Sequence, residues 1–203
     1  EDSDENAALQ DSVRSSSTAN TVVESMGFSK SEFDTFRSVV ARIESGGKYD
    51  IKGGSGGKYD GRYQLGAAAK TDAARYLGVP DPGHTPESRQ RFRKDSEMQE
   101  RFFAAFTKAN HTYLMGNPEY RDATSKRKLQ ILGYAHNQGM GGAEKWMTTG
   151  EVGADGFGTK GTKYTDEIRK AFAQQSTPPT PTTQQSTPTS TPTPTTQQST
   201  PTP

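Results

Sequence analysis

Three short polar segments sit beside glycines in this 203-residue chain: Ile43-Glu44-Ser45-Gly46-Gly47, Gly61-Arg62-Tyr63-Gln64-Leu65-Gly66 and Tyr134-Ala135-His136-Asn137-Gln138-Gly139. Glycine beside polar side chains lets a backbone approach a ligand closely. Glu44 is the group best suited to acid–base work. Phe33, Phe36, Val39, Val40 and Ile43 recur at helical spacing, and at roughly 100° per residue Glu44 falls beside Val40 and Phe33, on the edge of that apolar face. A carboxyl half against apolar side chains is disfavoured as the anion, which suits a proton donor.

The order of the three segments, with the first and third closing helices, resembles the lytic transglycosylase family of the goose-type lysozyme superfamily. That family's motifs read Glu-Ser, Gly-Leu-Met-Gln and Ala-Tyr-Asn-Ala-Gly. The Asn-Gln-Gly form of the third also resembles the virion-associated transglycosylases of phages. The resemblance spans about residues 33–173. It implies a mainly α, lysozyme-like α+β domain that cleaves the MurNAc–GlcNAc β-1,4 bond of peptidoglycan. By the match, Glu44 protonates the leaving oxygen and then takes the proton of the muramyl C6 hydroxyl, leaving a 1,6-anhydro end. One carboxyl then suffices. Gln64 is expected in the cleft, and Asn137 on the substrate or beside the glutamate. Ser45, Tyr63 and His136 complete the expected substrate side. Arg62-Tyr63 replaces the family's Leu-Met, His136 its tyrosine and Gln138 its second alanine. The family's late tyrosine near the acid has its nearest counterpart in Tyr164, without the usual leading glutamate. No metal or organic cofactor is implied, and the partner is the peptidoglycan glycan strand rather than nucleic acid or a membrane.

Asp50 and Asp60 open an alternative within the same chemistry. Either can serve as a second carboxylate that activates water, as in an inverting muramidase, where the pair stands about 6.5–9.5 Å apart. Both also sit in Lys-Tyr-Asp turns, where Asp-Gly at residues 60–61 is ordinary turn chemistry. Tyr49, Tyr59, Tyr63 and Trp146 offer rings for sugar faces, and Lys48, Lys58 and Arg62 offer cations for stem-peptide carboxylates. Two further readings use the fold without catalysis: a peptidoglycan- or chitin-binding module, and a structural virion domain.

Helices must position these groups. Ser29 with Glu32 fits a capping-box start for a helix to Ser45, which Gly46-Gly47 stops. The glycines from Gly46 to Gly61 suggest a loop or small hairpin. Ala67–Leu77 reads as helix. Thr85-Pro86-Glu87 opens another, Met98, Phe102, Ala105, Phe106, Ala109 and Tyr113 mark one over Ser96–Leu114, and Arg127–Asn137 is a further one broken by Gly139. A short helix carries Trp146 and Met147. The last is expected to follow a cap at Thr165 and run to Ala173. No strand periodicity persists, so the domain is expected to be mainly α with at most a small sheet.

The ends differ sharply in composition. Residues 1–20 hold five acids and one Arg, and residues 174–203 contain only Gln, Ser, Thr and Pro, with a 13-residue repeat beginning at Pro179 and Pro192. Neither can offset the entropy of ordering its backbone, so both are expected to be disordered or extended, the second as a spacer toward further domains or virion proteins. The globular domain is expected over residues 21–173. The net charge of +1 conceals −4 in the first twenty residues and +5 in the central body. Such a body suits an anionic polymer. The absence of Cys removes thiol nucleophiles and Cys-ligated metals, and His84, His111 and His136 follow no metal-binding spacing. The chain begins at Glu1 with no apolar leader, which is expected of a processed product or a piece of a longer polypeptide that is secreted, periplasmic or virion-associated.

Overall fold

The computed structural model describes residues 18–176, and the two compositionally biased ends beyond them lie outside the described residues. Within that range the protein is mainly helical. A helix over residues 18–25 (α1) leads to α2 (Lys30–Ser45), a two-stranded antiparallel hairpin of β1 (Lys52–Gly53) and β2 (Tyr59–Asp60), then α3 (Ala67–Leu77), α4 (Pro86–Lys94), α5 (Ser96–Leu114), α6 (Pro118–Arg121), α7 (Ser125–Thr149) and α8 (Gly161–Gln175). No helix among the described residues is long and apolar enough to cross a membrane.

The expected caps account for most boundaries. The Ser29 side chain accepts the Glu32 amide at the start of α2, and Gly46 ends it in the left-handed conformation. Thr85 caps α4 with Pro86 in its first turn, and Gly78 closes α3. Gly139, at φ 75° and ψ 166°, divides α7 into two helical segments, the second carrying Trp146 and Met147.

Three boundaries differ from the sequence expectation. Residues 18–20 belong to α1, whose Val22 and Val23 are buried in the same core cluster as Met26 and Phe28. α8 extends to Gln175, whose Nε2 donates to Thr35 Oγ1 at 2.7 Å. α8 also begins a turn before Thr165. That hydroxyl is buried and donates to the Gln130 carbonyl of α7 at 3.2 Å, so it ties two helices together rather than capping one.

The core lies around α5, which packs against α3, α4 and α7. Being surrounded, α5 buries more than the single face its rhythm suggests: Phe102, Phe103, Ala104, Ala105 and Leu114 are buried, whereas Tyr113 points outward to the Glu144 carboxylate. The α7–α8 contact depends on Gly161. A Cβ there would lie 2.6–2.8 Å from three ring atoms of Tyr134, which is itself stacked on Trp146 at 4.3 Å and bonded through its hydroxyl to the Gly153 amide. Gly161→Ala is therefore expected to destabilise the fold by about 1–3 kcal/mol, read as a lower urea midpoint at unchanged slope.

Candidate active site

Glu44 occupies the last turn of α2 with its side chain 18% exposed, on the edge of the apolar face as its helical angle requires. One hydrogen-bond donor and one ring nitrogen meet the same oxygen. Tyr164 Oη, from the first turns of α8, donates to Oε1 at 2.6 Å, and His136 Nε2, from α7, stands 3.3 Å from the same atom. The hydrogen bond of His136 Nε2 goes to the Tyr63 carbonyl at 2.9 Å, while its buried Nδ1 has no hydrogen-bond partner among the described residues. The imidazole is wedged edge-on between Phe103 and Phe106. Burial above all, then the charge of Glu44, pushes the Tyr164 hydroxyl far up, so it keeps its proton and serves as a donor.

Ser45 joins the first segment to the second. Its buried hydroxyl has the Arg62 carbonyl at 2.7 Å and the Ala41 carbonyl at 3.1 Å as acceptors for its one proton, the Arg62 oxygen being the nearer, and it accepts the Gly47 amide at 3.1 Å. With its proton committed to backbone carbonyls, the buried Ser45 ties the helix end to the Gly61–Gly66 turn. The neighbouring Gln64 has φ 50°, the one positive value outside glycine among the described residues. Such a conformation costs on the order of 1–2 kcal/mol. Its Nε2 donates to the Gly61 carbonyl at 2.9 Å, and a Cβ at Gly53 would collide with its amide, so Gln64 folds back on the hairpin.

Asn137 lies one residue past the histidine. Its Nδ2 donates to Asp155 Oδ2 at 3.1 Å and its Oδ1 accepts Gln138 Nε2 at 2.6 Å. The left-handed residue of this turn is Gly139, not Asn137. The structure thus brings together Glu44, His136 and Tyr164, with Asn137 bonded to Asp155.

Other expectations are corrected. The Tyr63 ring is 1% exposed, stacked on Phe103 at 3.8 Å with its hydroxyl donating to both oxygens of Glu100, so it is a core residue and contributes only its carbonyl to the site. Burial and then the Glu100 charge push its hydroxyl far up. Asp60 is not a free second carboxylate. Its side chain is 0% exposed and bonded to Lys70 Nζ at 2.7 Å, Arg89 Nε at 2.8 Å and Arg93 Nη1 at 2.9 Å. Desolvation alone would raise its pKa, but the hydrogen bonds from Arg89, Lys70 and Arg93 outweigh it and hold the carboxyl below the usual range. Asp50 is 60% exposed and turned toward Arg93 at 3.5 Å, on the side of that same cluster. Of the aromatics considered for sugar stacking, Tyr49 is bonded to Glu100 and covered by Arg62, and Trp146 is stacked on Tyr134. Tyr59 stays 41% exposed, its ring lying against Gly54 and Gly66.

Glu100, Lys70 and Asp155 carry weight that spacing does not announce. Lys70 left a trace, since it shares the helical face of Ala73 and Ala74 where a cation needs a partner. Asp155 left only an Asp-Gly turn signal. Among the described residues no cluster of His, Asp and Glu is arranged to hold a metal. No family model matches the chain, and no curated protein matches it.

Proposed function

We propose that this domain is a lysozyme-like glycosidase that cleaves the MurNAc–GlcNAc β-1,4 bond of peptidoglycan as a lytic transglycosylase, with Glu44 as acid and then base. The observation that carries the reading is the single half-buried carboxyl at a helix end, held by Tyr164 and His136, with no free second carboxylate at Asp60. A glycosidase with one working carboxyl can complete the reaction within the substrate. Glu44 gives its proton to the bridging oxygen as the C1–O bond breaks. The muramyl C6 hydroxyl then adds to C1 and returns its proton to Glu44, so the enzyme ends as it began.

Tyr164 donates to one oxygen of Glu44, with His136 Nε2 3.3 Å from the same atom, leaving the other oxygen for the substrate. The turn carrying Gln64 and the exposed Tyr59 ring supplies the hairpin side of the glycan path, and Lys48 and Lys58 are exposed for the anionic stem peptides. Mass spectrometry of fragments released from purified peptidoglycan tests this directly. Anhydro-muramyl ends support the lyase reading, reducing ends indicate hydrolysis, and release of neither overturns enzymatic cleavage. Tyr164→Phe is expected to keep the fold and lower kcat about tenfold or more, because the hydrogen bond that stabilises the carboxylate formed as Glu44 gives up its proton is lost, as followed by the rate of fragment release.

A further inference from the structure

His136 lies just before the break of α7 at Gly139, and its imidazole is 5% exposed. Nε2 lies 2.9 Å from the Tyr63 carbonyl oxygen and 3.3 Å from Glu44 Oε1, while Nδ1 is buried with no hydrogen-bond partner among the described residues. A carbonyl oxygen can only accept, so the contact at 2.9 Å places a proton on Nε2. A second proton on Nδ1 would be a buried donor without an acceptor, which is costly, so that nitrogen stays bare.

The carbonyl that receives this proton is fixed. The Tyr63 ring is stacked on Phe103 at 3.8 Å and its hydroxyl is bound to Glu100. The preceding Arg62 amide donates to Gln99 Oε1 at 2.8 Å, and the Arg62 carbonyl accepts Ser45 Oγ at 2.7 Å. The turn is thus tied to α2 and α5 and keeps its place when the imidazole shifts.

We infer that His136 is a positioning residue whose Nε2–H, resting on the Tyr63 carbonyl, is a reserve donor for Glu44 and turns to Oε1 as the carboxylate forms. A hydrogen bond to an ionised acceptor is about twice as strong as one to a neutral acceptor. While Glu44 holds its proton, the nearer carbonyl keeps the N–H. Once the proton has gone to the bridging oxygen, Oε1 is the stronger acceptor, and a small tilt of the ring closes the gap. Because the second bond favours the charged form, it stabilises the transition state more than the resting enzyme. The imidazole gives up no proton and touches no reacting atom, and its N–H returns to the carbonyl when the C6 hydroxyl re-protonates Glu44. This role rests on the reading of Glu44 as the acid.

The test compares His136→Phe, which keeps a ring but has no N–H, with His136→Gln, whose amide N–H reaches about as far as that of the imidazole. With soluble glycan strands, His136→Phe is expected to lower kcat about tenfold with KM changed less than twofold, and His136→Gln to recover most of that loss. A ring that serves only as packing between Phe103 and Phe106 predicts the reverse order. Wild-type turnover in His136→Phe, or turnover in His136→Gln no faster than in His136→Phe, overturns the inference. Proton–nitrogen correlation NMR of the wild type, independent of how the variants fold, is expected to show the His136 proton on Nε2 and none on Nδ1; a proton on Nδ1 overturns the inference. If the wild type cleaves no glycan, the functional reading fails and the spectrum decides the donor role alone. In mildly alkaline buffer the Nε2–H proton is then expected downfield of its position in Glu44→Gln, and an unchanged position overturns donation to the carboxylate.

Discussion

Glu44→Gln is expected to fold as the wild type does and to lose glycan cleavage by about 10²–10⁴-fold, the range general acid–base catalysis contributes. The substitution is nearly isosteric, and the glutamine oxygen still accepts from Tyr164, the hydroxyl that donates to Glu44 Oε1. The melting temperature should therefore change little. What disappears is a proton that can be given to the leaving oxygen and taken back from the C6 hydroxyl. Turbidity clearing of purified cell walls, with circular dichroism as the control for folding, reads both halves. Undiminished clearing by this variant would exclude Glu44 as the acid. Wall pull-down without clearing in the wild type would favour the binding-module reading instead.

Asp60→Ala carries the largest expected loss of stability, about 3–5 kcal/mol, because removing one partner of a buried ion cluster strands the others. Lys70 and Arg93 are themselves buried around Asp60, with side chains 1% and 7% exposed. Asp60 also pairs with Leu65 through both backbone groups, at 3.1 and 3.0 Å, so the cluster fastens the turn that bears Gln64 and the Tyr63 carbonyl to α3 and α4. Since the folded carboxyl is held below the ordinary aspartate value, its contribution is fully present above about pH 4 and is lost as pH falls through the folded value. Urea unfolding of wild type and variant at neutral pH and near pH 3 should thus show a difference that narrows on acidification. Asp60→Asn distinguishes this role from catalysis. A water-activating base would lose turnover without losing stability, whereas the anchoring role loses stability first.

Much of the scaffold was legible in the chain. The start of α2 at Ser29, the stops at Gly46 and Gly78, the proline-led start of α4 and the break at Gly139 are local events, set by side chains that cap nearby amides and by glycines that accept positive φ. The position of Glu44 at the rim of an apolar face is likewise a matter of helical angle, and Tyr164 was within reach through the family resemblance. The composition of the two ends separated them from the body in the same way, although their arrangement lies outside the described residues.

The fate of individual polar side chains was not legible. Tyr63 and Tyr59 look equivalent in a glycine-rich stretch, yet one is stacked in the core on Phe103 and the other is exposed, because α5 approaches from one side of the turn alone. Asp50 and Asp60 close two copies of the same five-residue motif, but only Asp60 meets three cations brought from α3 and α4. Thr165 looked like a cap and is a tie between helices. The sequence by itself determined most of the helices, several of their stops and the acid at the end of α2, since these follow from interactions within a few residues. Only the tertiary structure decided that Tyr164 and His136 meet that acid, that Asn137 is bonded to Asp155, and that Asp60 is a structural anchor. Those outcomes depend on contacts between residues up to 120 positions apart, whose partners no local spacing specifies.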